Sequence, residues 1–259
     1  MTGSAGVMAL VLAETVAGTA SFLWYTPLWH EVKRGYFTLT GVILTIVAFA
    51  AWRAAAAGAV PGDVTGRWSV RLALASLIVT AGWTALQLLK QRPAARGVGL
   101  LSVPVAIAAL IPMAATGRQH EALAAFELVA GAGFLGSVLD GLLLGHWYLT
   151  DRGLSRISID RATRIVLVAV VVEAIAVIAG GFSGVASSEA FNPLLTAGAL
   201  APWIALGMVG TTALIAVMVK ATLRGTRASA VQSATGFFYL AVVTAFTAEV
   251  AVKVRFLPG

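Results

Sequence analysis

The stretch ALAAFELVAGAGFLGSVLDGLLLGHWYL, residues 122–149, contains only two charged side chains, Glu127 and Asp140. A helix of this length exceeds the hydrocarbon core of a bilayer, which is about 30 Å thick, so it must tilt or project into water. Its glycines at 131, 133 and 136 form a G-x-G-x-x-G pattern that follows no predicted strand. They therefore predict close helix packing rather than nucleotide binding, and place this helix at the centre of a bundle.

The whole chain has the same character. Of its 259 residues, 59% are hydrophobic and 11% are charged, and the mean hydropathy is +0.91. Soluble domains carry about 25% charged residues, so the composition excludes a soluble enzyme, a disordered chain and a nucleic-acid-binding protein. Cysteine is absent, which excludes disulfides and thiolate metal sites. We expect an all-α polytopic membrane protein that contacts a lipid bilayer, with no metal site and no nucleic-acid partner.

Eight segments are long and apolar enough to span a bilayer. The breaks between them contain turn-forming residues, such as Pro61-Gly62-Asp63 and Asn192-Pro193. No basic residue precedes Lys33, so we expect the first segment to be a retained helix rather than a cleavable signal. The predicted spans are 7–29, 37–57, 70–90, 97–116, 122–149, 164–182, 199–221 and 232–254.

Basic residues are distributed unequally between the two sides of this topology. The connections after spans 1, 3, 5 and 7 hold 12 of the 18 Lys and Arg residues, and the other side holds 6. The loop 183–198 has none. The positive-inside rule therefore places the first group in the cytoplasm and both termini outside.

A short match points to an internal repeat. Glu14-Thr15-Val16-Ala17-Gly18 in span 1 resembles residues 127–131, Glu-Leu-Val-Ala-Gly, in span 5. Each span also ends in an aromatic–histidine pair, at Trp29-His30 and His146-Trp147. We predict two parallel four-helix halves, residues 1–117 and 118–259, with a chance match of common residues as the alternative.

Five carboxyl groups lie within the spans, and none has an obvious basic partner at its predicted depth. Ionisable groups in a membrane are costly and mark functional sites by default. We expect them to be protonated, to face a polar cavity or to pair with hydroxyls. They are candidates for a proton relay, with structural hydrogen bonds between helices as the alternative: Glu14, Glu127, Asp140, Glu173 and Glu249.

Two histidines share one predicted depth near the cytoplasmic face. His30 follows Trp29, just after a helix kink expected at Pro27, and His146 precedes Trp147 and Tyr148. We predict that these histidines and aromatic residues border a quinone head-group pocket, because imidazole exchanges protons near neutral pH and aromatic rings form flat apolar walls. An interfacial aromatic belt is the alternative.

Haem is a weaker expectation than quinone. The chain has three histidines, whereas a dihaem cytochrome b needs four axial ones, so only a single haem b between His30 and His146 would be compatible with the sequence.

Residues 142–149, LLLGHWYL, resemble integral membrane subunits associated with bacterial respiratory complexes, including hydrogenases. The resemblance covers about one span. It implies a bacterial cytoplasmic-membrane protein that anchors a redox complex and contributes to quinone reduction, with electrons supplied by partner subunits. The chain would then be at most a quinone-site subunit of an oxidoreductase.

Two other functions fit the same sequence. A small-solute or ion transporter built from two repeats would account for the buried carboxyls and the Pro- and Gly-interrupted helices. A structural or assembly subunit without a ligand of its own would account for the apolar spans alone.

The orientation can be tested with topology reporters. Fusions after Arg96 and after Arg161 should report a cytoplasmic location, and a fusion at Ser187 should report the exterior, because the basic residues concentrate on the side of the first two sites. The reverse result at all three positions would overturn the orientation.

Overall fold

The computed structural model describes residues 1–117, 120–151, 153–181, 200–225 and 228–257. Its regular elements over these ranges are helices, and eight of them are long and apolar enough to cross a membrane. The predicted all-α polytopic membrane fold is therefore confirmed. The helices are α1 (Gly3–Tyr25), α2 (Leu28–Glu31), α3 (Arg34–Gly58), α4 (Val64–Leu88), α5 (Arg92–Ala114), α6 (Glu121–Thr150), α7 (Ile157–Ala179), α8 (Leu200–Leu223) and α9 (Ala228–Phe256).

Local signals explain several helix ends. The Asp63 side chain caps α4 by accepting hydrogen bonds from the backbone N–H groups of Thr65 and Gly66, both at 2.9 Å. Gly62 precedes this cap with a φ of +86°, a left-handed conformation that glycine adopts readily. The turn-forming segment 61–63 therefore ends one span and begins the next, as the sequence indicated.

The first span differs from its prediction. Helix α1 ends at Tyr25 because Thr26 is extended (φ −95°, ψ 161°), and Pro27 then begins the separate turn α2. The expected kink at Pro27 is thus a complete break. His30 consequently lies on α2, outside the first long helix.

The described helices also extend beyond the predicted spans. Helix α7 begins at Ile157 rather than at residue 164, so it includes Arg161 and Arg164, which the sequence assigned to a loop. Helix α9 runs from Ala228 to Phe256, beyond both ends of the predicted span 232–254. Long basic side chains can keep their stems along apolar surface, so a charged residue does not mark the end of a membrane helix. The predicted loop 183–198, Arg118, Arg152 and Arg227 lie outside the described residues.

Each half of the chain packs in the same order. In the first half α1, α3, α4 and α5 pack consecutively and α5 returns to α1. In the second half α6, α7, α8 and α9 do the same, and α9 returns to α6. The halves meet mainly along α1 and α6, which are the most buried of the long helices. This order is compatible with the predicted two-repeat organisation, whose superposition stays a prediction.

Glycines allow α1 and α6 to approach closely. A Cβ atom on Gly18 would lie 1.7 Å from the carbonyl oxygen of Ala132, and one on Gly136 would lie 2.2 Å from the carbonyl carbon of Gly18. Two glycines further along α6 accommodate α9, because Gly141 abuts the Phe238 ring and Gly145 abuts Thr235. The close packing predicted for the glycines of the fifth span is confirmed for Gly136, and α6 is central, but Gly133 has nothing within 4 Å of its Cβ position.

The two ends of the bundle can be named by what they carry. At the terminal face, the backbone N–H of Thr2 donates to the carbonyl of Gly58 at 3.0 Å, and Leu257 reaches Gly6. At the opposite end, the α2 face, the Lys33 ammonium pairs with Asp151 at 2.9 Å. Both chain termini therefore lie at the same end of the bundle.

Because α1 and α6 are in contact at Gly18, a single methyl group added there should destabilise the protein. Gly18→Ala should lower the free energy of unfolding by about 1–3 kcal/mol, because the added Cβ overlaps the α6 backbone. A Cβ on Gly133 of α6 would meet nothing within 4 Å, so Gly133→Ala is the matched control and should be neutral or slightly stabilising. Thermal unfolding of the purified variants in one detergent measures both. Equal stability of the two variants would contradict the close approach.

Candidate functional site

A lysine lies among the buried carboxyls. The Lys253 ammonium is 2.7 Å from Oε1 of Glu14 and 3.1 Å from Oε2 of Glu249, and all three side chains have 0% exposure. The expectation that no carboxyl has a basic partner at its depth is therefore wrong for these two. Glu249 and Lys253 are four residues apart on α9, so they share one helix face, while Glu14 comes from α1.

Two further glutamates complete this group. Glu173 of α7 is close enough to interact electrostatically with Glu249, and Glu127 of α6 with Glu14. Both are buried, with 1% exposure. We call Glu14, Glu127, Glu173, Glu249 and Lys253 the carboxyl–lysine cluster. It brings together residues from both halves of the chain.

A glycine provides the room that the cluster needs. A Cβ on Gly131 would lie 2.8 Å from Oε1 of Glu14 and 2.8 Å from Oε2 of Glu249. Any larger residue at this position of α6 would therefore displace the two carboxyls that hold Lys253. The Glu-x-Val-Ala-Gly segment of the fifth span thus contributes Glu127 to the cluster and makes space for its partners.

The composition of the cluster favours proton binding. Four carboxylates and one ammonium would carry three net negative charges in an interior that solvates charge poorly. Retaining protons on the carboxyls removes that cost. Among the described residues, no group of three or more His, Asp or Glu side chains is arranged to hold a metal ion. The charge balance of the cluster therefore favours carboxyls that keep their protons.

Asp140 belongs to a different place. Its Oδ1 accepts a hydrogen bond from the Tyr36 hydroxyl at 2.6 Å, and both side chains are buried. Asp140 lies 13 residues beyond Glu127 on α6, about 20 Å along the helix. The five carboxyls predicted for one relay therefore form two groups, one toward the terminal face and the Tyr36–Asp140 pair toward the α2 face.

A row of aromatic rings leads to the Tyr36–Asp140 pair. Successive ring centroids are 5.4 Å apart for Trp83–Trp24, 5.0 Å for Trp24–Trp29, 4.9 Å for Trp29–Phe37, 5.6 Å for Phe37–Tyr36 and 6.4 Å for Tyr36–Trp147. We call these six residues the aromatic row. It joins Trp29 and Trp147, which the sequence placed in two separate clusters, through the start of α3.

The other predicted quinone-site residues lie around this row. The side chains of His30 and His146 are both exposed. Nδ1 of His146 is 3.4 Å from the Tyr239 hydroxyl of α9. The buried Tyr148 donates its hydroxyl to the carbonyl of Ser155, so it fixes the connection between α6 and α7. Neither imidazole is enclosed by the bundle.

Four buried side chains near the aromatic row have polar atoms without a hydrogen-bond partner among the described residues. They are the indole nitrogens of Trp24, Trp83 and Trp147 and the amide of Gln87. Gln87 is 1% exposed and lies one turn after Trp83 on α4. Buried donors without partners are costly and call for an explanation. The sequence analysis missed Gln87, although an amide four residues from a tryptophan in an apolar span could have pointed to it.

Ion pairs tie the two halves at the α2 face. Arg161 of α7 donates to both carboxylate oxygens of Glu31 at 2.9 Å, and the Ser158 hydroxyl donates to Oε2 at 2.7 Å. The hydrogen bond from Arg161, assisted by that from Ser158, holds the pKa of Glu31 below its ordinary value of 4.5. Glu31 therefore stays ionised at neutral pH and keeps α2, with Trp29 and His30, against the second half.

Comparison of the chain with protein-family models, with curated proteins and with solved structures finds no match.

The buried position of Lys253 predicts a pH-dependent loss of stability in Lys253→Met. Removing the ammonium leaves buried carboxyls without a counterion. They must either stay charged, which lowers the free energy of unfolding by about 3–5 kcal/mol, or take up protons. The unfolded chain releases such protons above about pH 4.3, so the variant should lose more stability than the wild type as the pH rises from 5 to 8. Unfolding of the wild type and the variant at both pH values measures this.

The exposed Lys33 provides the matched control. Its pair with Asp151 is at the surface, with the lysine side chain 75% exposed, so Lys33→Met should cost less than about 1 kcal/mol and should follow the pH dependence of the wild type. Adding Glu14→Gln to Lys253→Met should restore part of the lost stability. Equal losses in the two lysine variants would contradict the assignment of Lys253 as the counterion of the cluster.

Proposed function

We propose that this protein is a membrane subunit of a bacterial respiratory oxidoreductase, which binds a quinone at the aromatic row and exchanges protons through its buried carboxyls. One observation carries the proposal: a row of aromatic rings with unpartnered buried donors includes Tyr36, whose hydroxyl is hydrogen-bonded to Asp140. Flat apolar walls, hydrogen-bond donors and a proton-holding group are what a quinone head group needs.

The residues present fit a quinone. Its ring would pack against indole faces near Trp24 and Trp29, and its carbonyl oxygens would accept hydrogen bonds from indole N–H groups or from the Gln87 amide, which have no partner among the described residues. When bound, a quinone supplies two-electron, two-proton redox chemistry. The proposal enlarges the predicted site of His30, Trp29, His146, Trp147 and Tyr148 by adding Trp24, Trp83 and Gln87.

Protons for this chemistry would be handled by the chain itself. The Tyr36 hydroxyl donates to Oδ1 of Asp140 at 2.6 Å. The exposed His146 lies six residues further along α6, about 9 Å nearer the α2 face, where an imidazole can exchange protons with water. The carboxyl–lysine cluster stores protons on the terminal side. Two separated proton-holding groups suit a subunit that takes up protons near one membrane surface and holds others nearer the opposite one.

The setting follows from the charge distribution. We place the α2 face, which carries most of the basic residues, in the cytoplasm, and both termini outside the bacterial cytoplasmic membrane. The described chain has no region that could form a redox domain outside the membrane bundle. Electrons would therefore come from partner subunits of the complex.

Tryptophan fluorescence tests the quinone site directly. A short-chain menaquinone analogue titrated into the purified protein should quench fluorescence saturably. Gln87→Leu should weaken its binding roughly three- to ten-fold, because one hydrogen bond to the ligand is lost. This variant should fold at least as well as the wild type, since it replaces an unpartnered buried amide with an apolar side chain of similar size.

The control is a tryptophan at the other end of the bundle. Trp68 lies in the first turns of α4, near the terminal face, and is 51% exposed. Trp68→Phe should leave the dissociation constant unchanged, whereas Trp24→Phe should raise it. Quenching that does not saturate, or equal constants in all variants, would overturn the quinone site.

One observation keeps a transporter as the second candidate. The carboxyl–lysine cluster lies between the two halves, as coupling sites do in transporters built from repeats. A transporter functions without partner subunits, so the purified chain in liposomes should then dissipate an imposed pH gradient, monitored with an entrapped dye, and Glu14→Gln should abolish this. A pH gradient that persists, together with co-purification of redox subunits, favours the respiratory role.

A further inference from the structure

An open slot runs along the outside of the bundle where α1, α6 and α7 meet. Its volume is about 380 Å³, and its walls are almost entirely apolar, with Phe22, Phe126 and Ile165 among the residues that line it. Val129 and Val168 on its rim are 61% and 65% exposed. In a membrane-spanning bundle, a slot of this kind opens sideways to the lipid.

The polar residues of the slot are two arginines at one end. Arg161 and Arg164 line it near the start of α7, at the α2 face. Arg161 forms the bidentate salt bridge with Glu31 described above. Arg164 is exposed and forms no ion pair with any described residue. The slot therefore combines an apolar length with one available cation at its mouth.

Along α7, the slot is as deep as one leaflet. From Arg161 to Val172, both of which line it, α7 rises by about 16 Å. Half of the hydrocarbon core of a bilayer is about 15 Å. An acyl chain whose head group lies at the α2 face would therefore reach along α7 to about the middle of the membrane, while the slot continues on α6 as far as Phe126, in the second turn of that helix.

We propose that this slot is a binding site for an anionic phospholipid of the leaflet at the α2 face. One acyl chain lies between Phe22 of α1, Val129 of α6 and Val168 of α7, and the phosphate pairs with Arg164 beside Arg161. Charge complementarity selects this occupant, because a neutral isoprenoid lipid gains nothing from an unpaired guanidinium. The site is separate from the aromatic row and does not depend on the quinone proposal.

Gly133 provides a way to close the slot without disturbing the fold. It lines the slot, and a Cβ there would meet nothing within 4 Å, so the side chain of Gly133→Leu can occupy the lipid's place. Arg164→Gln instead removes the cation and leaves the apolar walls intact. The two variants separate the acyl-chain contact from the head-group contact.

The experiment measures lipid-induced stabilisation of the purified full-length protein in a neutral detergent. Phosphatidylglycerol and phosphatidylcholine with identical acyl chains are titrated while the unfolding temperature is recorded. Phosphatidylglycerol should bind about five-fold more tightly to the wild type. Arg164→Gln should abolish this preference, and Gly133→Leu should weaken the binding of both lipids.

Lys220→Gln is the matched control, because Lys220 is an exposed basic residue in the last turn of α8, at the same face but outside the slot. It should keep the preference for phosphatidylglycerol. Three results would overturn the proposal: an unchanged preference in Arg164→Gln, an equal loss in Lys220→Gln, or displacement of phosphatidylglycerol from the wild type by a long-chain menaquinone, which would assign the slot to an isoprenoid tail.

Discussion

The rest of the structure depends on the close approach of α1 and α6 at Gly18 and Gly136. Apolar helices gain little from burying apolar surface against one another in lipid, so association needs small residues that allow close contact. At this contact a Cβ on either glycine would overlap the partner backbone. The contact fixes the distance between the halves, and it sets Glu14 of α1 opposite Gly131 of α6, where there is room for the carboxyls that hold Lys253.

This contact also separates the two proton-holding groups. The carboxyl–lysine cluster lies on its terminal side and the Tyr36–Asp140 pair on its other side, about 20 Å apart along α6. Backbone packed on backbone leaves no space for water at that level. Exchange between the groups would therefore have to pass around the contact, where the buried Thr19 hydroxyl has no hydrogen-bond partner among the described residues. The two groups therefore lie on opposite sides of the α1–α6 contact.

Much of this could be predicted from sequence, because apolar length alone specifies a membrane helix and isolated carboxyls within it stand out. The glycine pattern of residues 131–136 also predicted the central helix. Lys253 was missed because it lies near the end of a span, where a basic residue ordinarily reaches water; its burial depends on partners from α1. Tyr36 and Gln87 were missed because their significance arises from tertiary neighbours, and the break at Tyr25 because proline predicts a kink more often than a full separation.

The interface between the two halves of the chain bears on the choice between the two candidate functions. Alternating access requires one half to move against the other. Here three sets of contacts at different depths join them: the buried Lys253–Glu14 pair, the Gly18–Gly136 contact, and the Glu31–Arg161 and Lys33–Asp151 pairs at the α2 face. Separating the halves would expose the Lys253–Glu14 ion pair and break the backbone contact between Gly18 and Gly136. An interface between the halves that is joined at three depths resists that motion. It therefore favours the proposal of a rigid membrane subunit that holds a redox ligand and its proton donors at fixed distances.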